Sequence, residues 1–209
     1  MNSFLNLNNY DKLFKIIIIG ESGVGKSSLA LKVSKNIFYE NYVPTIGFET
    51  LSLYFRLNEK YIKMEIWDAC GQEAYRSLIK NYYKGASLII LVYSINDMKS
   101  FNKLKEWINN IREINENVKI FLIGNKIDKE EQRKITKEMG EKFYQNNKLN
   151  SFFEASAKTG YNINDIFIQA VKILYDDIKD DEFKLKAMDD YIIIEEKNQV
   201  SHTCNDNCC

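Results

Sequence analysis

The sequence has few cysteines, a single proline and no long hydrophobic run. It has one proline, Pro44, and four cysteines, three of which fall within the last six residues. Cysteines placed in this way cannot form a disulfide framework for a core, which favours a reducing compartment. No apolar run approaches the roughly 20 residues that cross a bilayer, and residues 1–10 lack the apolar stretch of a secretory signal. We therefore expect a protein of the cytosolic side.

The chain also lacks an excess of charge of either sign. Acidic and basic residues number 29 each, so we expect no nucleic-acid partner. Their distribution is uneven, because eight acids and three lysines follow residue 179. A length of 209 residues with 45% hydrophobic content suits one sizeable core. We predict one domain over residues 1–179, with its core from about residue 11, and an acidic tail over residues 180–209.

Short apolar runs alternate with segments of helical period along the body. This order predicts parallel strands joined by helical crossovers. The second and third strands are separated only by the polar turn 58–60, which predicts an antiparallel hairpin at one edge. The expected fold is a doubly wound α/β domain with a six-stranded, mostly parallel sheet and one antiparallel edge strand. Predicted strands cover residues 13–19, 50–57, 61–67, 88–93, 118–123 and 152–155, and predicted helices cover 27–34, 73–83, 100–114, 136–144 and 163–175.

The tail mixes charges and asparagine with isolated apolar residues. Such a composition buries too little surface to offset the entropy of ordering, so we expect residues 180–209 to be mostly disordered. The apolar run YIII at residues 191–194 is an exception. It is either a docking segment or a patch without a function, and the pattern favours neither.

The glycine loop, GESGVGKSS at residues 20–28, lies between the first predicted strand and the first helix. It matches the pattern G-x-x-x-x-G-K-[ST]. Gly23 and Gly25 let successive N–H groups turn inward at a helix N-terminus and bind phosphate, whereas a turn that binds nothing would leave a costly buried lysine. Lys26 can reach the β- and γ-phosphates, and the Ser27 hydroxyl can ligate Mg²⁺. The predicted phosphate-binding set is Ser22, Gly23, Val24, Gly25, Lys26, Ser27 and Ser28.

Asn125, Lys126 and Asp128 form an N-K-x-D motif just after the fifth predicted strand. That strand should end at the same sheet edge as the glycine loop. The Asp128 carboxylate can accept hydrogen bonds from N1–H and the exocyclic amine of guanine, whereas adenine offers neither donor there. A buried acceptor left unpaired costs on the order of 1 to 3 kcal/mol, so ATP should be rejected.

Ser156, Ala157 and Lys158 follow the last predicted strand and should close the base site. We expect the Ala157 N–H near the guanine carbonyl, with the stems of Lys126 and Lys158 over the faces of the base. The short motif is a weak signal by itself.

Residues 68–73, DACGQE, end the third predicted strand. The aspartate can hold Mg²⁺ through water, Gly71 can turn its N–H toward a γ-phosphate, and Gln72 can orient the attacking water without titrating. A plain Asp-Gly turn is the alternative. If Thr45 ligates Mg²⁺ only while a γ-phosphate is present, its loop orders with GTP and relaxes with GDP. The predicted metal ligands are Ser27, Thr45 and Asp68, and the predicted catalytic residues are Gln72 and Lys26.

In this order the motifs resemble those of the Ras-like small GTPases, over residues 13–175. The resemblance is to the Rab branch in particular. It rests on the segments 45–50 (TIGFET), 63–68 (KMEIWD), 76–79 (RSLI) and 82–86 (YYKGA), and on the ending Cys208-Cys209.

The resemblance implies a P-loop GTPase fold and a membrane-attached switch that binds Mg²⁺ with GTP or GDP, hydrolyses GTP slowly and recruits effectors in vesicle trafficking. Carried over by position, Phe38 stacks edge-on against the base and Tyr42 covers the phosphates. The implied partners are an exchange factor, a GTPase-activating protein, a dissociation inhibitor, an escort protein and effectors, with the protein itself a monomer. The implied effector surface contains Ile46, Phe48, Trp67 and Tyr82.

Four positions depart from the family pattern. Ala69-Cys70 stand where Thr-Ala is usual, Thr50 where Rab proteins tend to have phenylalanine, and Ala74 where an arginine is common. Cys70 lies beside the expected γ-phosphate, so a nucleotide-clamped adaptor that scarcely hydrolyses GTP is the second hypothesis. A P-loop kinase using ATP is the third, and the guanine motif opposes it.

The end of the tail carries His202, Cys204, Cys208 and Cys209. Zinc prefers these residue types, but their spacing at an acidic chain end argues against a metal cluster. The resemblance implies geranylgeranyl groups on Cys208 and Cys209 instead. An acidic tail is not attracted to anionic lipid. The second geranylgeranyl group must therefore supply the additional affinity for the membrane. We expect the protein in the cytosol and on the cytosolic face of an intracellular membrane. One hypothesis for residues 191–194 is a docking strip for its soluble carrier.

Overall fold

The computed structural model describes residues 10–40, 48–57, 60–69, 83–176 and 192–194. A 3₁₀ segment, Ile127–Gln132, follows the fifth strand. The strands are β1 Lys12–Ile19, β2 Phe48–Leu57, β3 Lys60–Ala69, β4 Leu88–Ser94, β5 Lys119–Asn125, β6 Ser151–Ala155 and β7 Ile192–Ile194, and the helices are α1 Lys26–Lys35, α2 Met98–Asn102, α3 Leu104–Ile114, α4 Lys137–Asn146 and α5 Ile163–Asp176.

The strands form one mixed sheet in the order β6-β5-β4-β1-β3-β2-β7. The pairs β1–β3, β1–β4, β4–β5 and β5–β6 are parallel, and β2 runs antiparallel to β3. The predicted fold, five parallel strands and one antiparallel strand in a doubly wound sheet, is confirmed. The structure adds a seventh strand that was not predicted, because β7 from the tail pairs antiparallel with the outer edge of β2.

The continuous apolar run of β1 reflects burial on both faces of the sheet. Ile16 and Ile18 belong to a core with residues of α1 and α5, whereas Ile17 and Ile19 belong to a second core with residues of α3. Alternate side chains of a strand point to opposite faces, so a run of isoleucines serves both cores at once. The sheet is therefore packed against helices on both faces, which fixes the positions of its strands relative to one another.

The predicted helix 100–114 is two helices, α2 and α3, which meet at Lys103. The first begins earlier than predicted because the Asp97 side chain caps it by accepting from the Lys99 N–H at 3.0 Å. Of the predicted helix 73–83, only Tyr83 lies within the described residues. Its backbone is in a turn and its side chain is buried. In the described parts of the chain, no helix has both the length and the hydrophobicity that crossing a membrane requires.

Candidate functional site

Several predicted motifs meet at one edge of the sheet. The glycine loop follows β1, Asp68 is near the end of β3, Asn125 ends β5, and the segment 156–158 follows β6. Because these strands are parallel, their carboxyl ends lie together, where doubly wound sheets bind ligands. A cavity of about 410 Å³ opens there. It is lined by Gly23, Gly25, Ser28, Phe38, Tyr39, Glu40, Asn125, Lys126, Asp128, Lys129, Ala157 and Lys158.

Two glycines of the glycine loop occupy positions where a side chain does not fit. At Gly20 an added Cβ would lie 2.2 Å from the carbonyl oxygen of Val92 in β4. At Gly25, whose φ is 98°, it would lie 2.4 Å from Nδ2 of Asn125. Gly25 is also the N-cap of α1, so the described residues give this helix no side-chain cap and no acid in its first turn. The positive end of α1 therefore suits an anionic ligand.

Lys26 is held over the loop that precedes it. Its side chain is 4% exposed, and Nζ donates hydrogen bonds to the carbonyl oxygens of Gly20 and Glu21 at 3.1 and 2.9 Å. An ammonium group fixed beside a nest of N–H groups can compensate the charge of β- and γ-phosphates.

Asn125 joins the glycine loop to the segment 156–158. The buried amide donates from Nδ2 to the Val24 carbonyl at 2.9 Å, and Oδ1 accepts from the Ala157 N–H at 3.2 Å. The Ala157 N–H, predicted to face a guanine carbonyl, thus has an acceptor within the protein. Val24 itself is fully buried in the core, and its carbonyl oxygen is the acceptor for Asn125.

Asp128 is oriented by the segment after β6. The Ser156 hydroxyl donates to Asp128 Oδ1 at 2.5 Å and accepts from the Thr159 N–H at 3.1 Å. Lys126 reaches across the cavity, donating from Nζ to the Gly23 carbonyl at 2.5 Å, and burial lowers the pKa of its ammonium group, with Lys129 contributing in the same direction. The cavity is lined by the Asp128 carboxylate, the Phe38 ring and the lysines Lys126 and Lys158, a set that can take a guanine base.

Phe38 and Glu40 close the other side of the cavity. Phe38 packs against the core that contains α1 and α5 while it lines the cavity. Glu40 Oε1 lies 3.0 Å from Nζ of Lys158, and this exposed ion pair raises the pKa of the lysine. The loop after α1 is thereby tied to the segment after β6, a contact for which the sequence carried no signal.

The end of β3 suits a metal ion. Asp68 is 1% exposed, and its Oδ1 has no hydrogen-bond partner among the described residues. Burial raises its pKa to about 6, although a hydrogen bond from Ser27 and the charge of Lys26 act in the opposite direction. A buried carboxylate oxygen without a donor, beside a serine hydroxyl, is the hard oxygen set that Mg²⁺ prefers. These residues therefore fit Mg²⁺. No group of three or more histidines, cysteines or acids with the geometry of a metal site occurs among the described residues, so the set at Asp68 depends on the serine hydroxyl and on oxygens of the ligand.

Two supporting contacts were not predicted. The buried Trp107 of α3 donates from Nε1 to Glu21 Oε1 at 2.9 Å, which ties the glycine loop to α3. Arg133 Nη1 contacts Glu154 Oε1 at 2.5 Å, and its Nε donates to Glu130 Oε1 at 2.7 Å, so the guanidinium joins the segment that carries Asp128 to β6. These carboxylates raise the pKa of the guanidinium further above its ordinary value. Charge alternation alone does not show which acid an arginine will meet.

Other predicted residues stay predictions. Ser22 is exposed and half-buried Trp67 lies under Lys15, whose Nζ is 4.3 Å from the ring centroid. The backbone of Phe48 is in β2, but its side chain is not described. Outside the described residues lie Tyr42, Thr45, Ile46, Cys70, Gly71, Gln72, Tyr82, His202, Cys204, Cys208 and Cys209.

A glycine loop between a parallel strand and a helix, with a base pocket across the same sheet edge, defines the chain as a P-loop nucleotide-binding protein. The sequence model of the Ras family matches residues 15–176, more than half of the chain. The protein belongs to the Ras family of small GTPases.

Membership sets the general function. Small GTPases of this family bind guanine nucleotides with Mg²⁺, hydrolyse GTP and act as switches, working with exchange factors, GTPase-activating proteins and effectors. The cavity, the glycine loop and the oxygen set at Asp68 are the parts of this chain that such a ligand would engage.

Proposed function

We propose that this chain is a Rab-type GTPase, a monomeric switch that recruits effectors to a cytosolic membrane surface in vesicle trafficking. The single observation that carries the proposal is the β2–β3 hairpin. Thr50 pairs with Trp67 and Phe48 with Ala69, next to Asp68. The described end of the segment TIGFET, residues 48–50, therefore pairs with the end of KMEIWD beside the candidate metal ligand Asp68. These are two of the segments by which the chain resembles Rab proteins. A surface built this way can report the nucleotide state to an effector.

The residues divide the chemistry among them. The nest of the glycine loop and Lys26 bind the phosphates, while Ser27, Thr45 and Asp68 would hold Mg²⁺, which neutralises charge on the phosphate oxygens. Gln72 orients the water that attacks the γ-phosphate. Residues 36–50 contain no arginine, so no arginine finger comes from this loop. Ras-type enzymes of this kind hydrolyse GTP on the order of 10⁻⁴ per second, and a partner's arginine adds roughly 10³ to 10⁵.

Membrane attachment through two adjacent C-terminal cysteines is the part of the proposal that an experiment in cells can test directly. Geranylgeranyl groups on Cys208 and Cys209 would hold the acidic tail to the bilayer, and a dissociation inhibitor and an escort protein would cover them in the cytosol. The test is to locate an N-terminally tagged full chain in cells beside a Cys208→Ser, Cys209→Ser double variant. A Cys204→Ser variant is the matched control. We expect wild type and control on an internal membrane and the double variant in the cytosol. Membrane residence of the double variant would overturn the proposal.

Cys70 favours one competing function, an adaptor that binds GTP but scarcely hydrolyses it. Its side chain is larger than the alanine usual at this position, and beside the γ-phosphate it would hinder the attacking water. Single-turnover hydrolysis of purified wild type and Cys70→Ala separates the two. We expect wild type near the intrinsic rate given above and Cys70→Ala within a few-fold of it. If wild type is inert while Cys70→Ala hydrolyses GTP, the adaptor function replaces the switch.

A further inference from the structure

Ile192–Ile194, strand β7, lies on the outer edge of β2. Residues 54, 55 and 56 of β2 pair with residues 194, 193 and 192, in antiparallel register. The contact is at the hairpin end of β2, five to seven residues from Glu49, which pairs with Asp68, and this corresponds to about 16 to 24 Å from the candidate metal site. The family match ends at residue 176, so this strand is a feature of the chain's own tail.

The part of β2 that β7 pairs with is anchored in the core. Phe55 is fully buried and belongs to the core that contains residues of α1 and α5. The outer side of such a strand presents a row of N–H and C=O groups, which readily pair with any extended segment. Three consecutive isoleucines have the β-branched side chains that favour an extended backbone.

We propose that the outer edge of β2 at residues 54–56 is a docking edge for an extended segment, and that residues 192–194 are its resident, displaceable occupant. The occupant is flanked by acids at positions 189, 190, 195 and 196. The hairpin beside it carries the exposed Arg56, whereas Lys60 and Lys63 of β3 already form ion pairs with Asp11 and Glu65. Acids flanking the strand and the Arg56 guanidinium beside its edge attract each other, and salt weakens that attraction.

The tether makes a short strand sufficient for docking. Fifteen residues separate Asp176 from Ile192, and a linker of that length gives an effective concentration in the millimolar range. If the dissociation constant of the untethered strand lies below that concentration, the tethered strand covers the edge most of the time, and a competing ligand at comparable concentration displaces it.

Docking also changes the reach of the tail. From Ile194 the chain has 15 residues to Cys209, so the terminal cysteines stay within roughly 50 Å of the β2 edge. From Asp176 there are 33 residues, which span up to about 110 Å once β7 is released. The docked strand thus more than halves the distance by which the end of the chain can depart from the domain.

Amide hydrogen exchange on the full chain, loaded with GDP, tests the occupant. Ile193→Pro removes a strand N–H in the middle of β7, and Lys197→Pro is a matched control outside the paired residues. We expect the outward-facing amides of residues 54–56 to exchange at least tenfold faster in Ile193→Pro and at the wild-type rate in Lys197→Pro. Nucleotide affinity should be the same in all three, which shows that each variant is folded. Equal exchange in all three proteins would overturn the proposal.

A peptide in trans tests the docking edge itself. A synthetic peptide of residues 189–197, DDYIIIEEK, added at about millimolar concentration, should restore slow exchange at residues 54–56 of the Ile193→Pro chain. Protection should diminish as salt rises from 0.05 to roughly 0.5 M. The same peptide with proline at its central isoleucine is the control. Failure of the wild-type peptide to protect, or equal protection by the proline peptide, would contradict a docking edge on β2.

Discussion

At the scale of single residues, Asp128 is the group through which the cavity can distinguish guanine from adenine. Its side chain is held by the Ser156 hydroxyl at 2.5 Å, so the carboxylate faces the cavity with a set direction. A rigid acceptor discriminates more strongly than a mobile one, because a base without the matching donors leaves it unpaired.

The first prediction concerns this carboxylate. Asp128→Ala should weaken GTP binding by about 10- to 100-fold or more, because two hydrogen bonds to a charged acceptor are lost. ATP binding should stay weak. Ser156→Ala keeps the carboxylate but frees it to move, so it should produce a smaller loss. Isothermal calorimetry with both nucleotides measures the effect. Unchanged GTP affinity in Asp128→Ala would show that the base is read elsewhere.

The second prediction separates strain from close contact in the glycine loop. Both Gly23 and Gly25 have positive φ, 77° and 98°, but only at Gly25 would a Cβ meet another group, Nδ2 of Asn125 at 2.4 Å. Gly23→Ala should lower the free energy of unfolding by about 1 to 2 kcal/mol through backbone strain. Gly25→Ala should lower it by more, because the buried Asn125 must also shift.

Urea unfolding of both GDP-loaded variants provides the comparison. Equal losses would mean that Asn125 moves aside without cost. That result would argue against Asn125 as a fixed link between the glycine loop and segment 156–158.

At the scale of secondary-structure elements, the position of the glycine loop depends on a helix from the other side of the sheet. Trp107 of α3 donates to the side chain of Glu21, whose backbone carbonyl accepts from Lys26. A shift of α3 therefore reaches the phosphate-binding lysine through one residue.

The third prediction tests this connection. Trp107→Phe keeps an aromatic ring in the core but removes the N–H donor, leaving the Glu21 carboxylate without that bond. We expect GDP to dissociate about 5- to 30-fold faster, from the loss of about 1 to 2 kcal/mol. Glu21→Gln, which retains an acceptor oxygen, is the control and should change the rate by less. Release of a fluorescent GDP analogue measures both rates, and an unchanged rate in Trp107→Phe would exclude the connection.

At this scale the sequence predicted where the strands lie better than it predicted which strands pair with each other. The isoleucines of β1 showed a strand buried on both faces, since no exposed strand tolerates such a run. The sequence did not predict whether the run at 191–194 pairs with the sheet. A short apolar segment can pair with any open strand edge, and only the folded sheet shows that β2 has an open outer edge.

At the scale of the whole molecule, stability at high pH should depend on Tyr93. Its side chain is fully buried, and its hydroxyl has no hydrogen-bond partner in the described structure. Burial, with the charge of Glu154 added, raises the pKa of the phenol above its ordinary value near 10, despite Arg133 nearby. The unfolded chain releases this proton above pH 10 while the native protein keeps it. Stability is therefore lost as the pH rises through that range.

The fourth prediction follows from that sign. Tyr93→Phe should be at least as stable as wild type at pH 7, because it removes an unpaired buried hydroxyl. Between pH 10 and 11 the stability of wild type relative to Tyr93→Phe should fall by up to about 1.4 kcal/mol. Urea unfolding of the GDP-loaded proteins from pH 8 to 11 gives both curves. Curves that stay parallel would contradict a raised pKa for Tyr93.

The sequence by itself determined the sheet, its hairpin and the assembly of the motifs at one edge. Burial on both faces demands long apolar strands, and parallel strands bring all their carboxyl ends to the same side. The glycine spacing of the loop, together with its buried lysine, favours a backbone that turns tightly around an anion. These are local rules, so they can be read from residues that are neighbours in the chain.

Only the tertiary structure decided which distant side chains meet. Trp107 and Glu21 are 86 residues apart, and Lys158 and Glu40 are 118 apart. Many acids and donors in the sequence could have satisfied the same bonds. The choice depends on distances that exist only after the strands have paired. The docking of 192–194 on β2 has the same cause, since an open sheet edge is a property of the folded sheet and of no single segment.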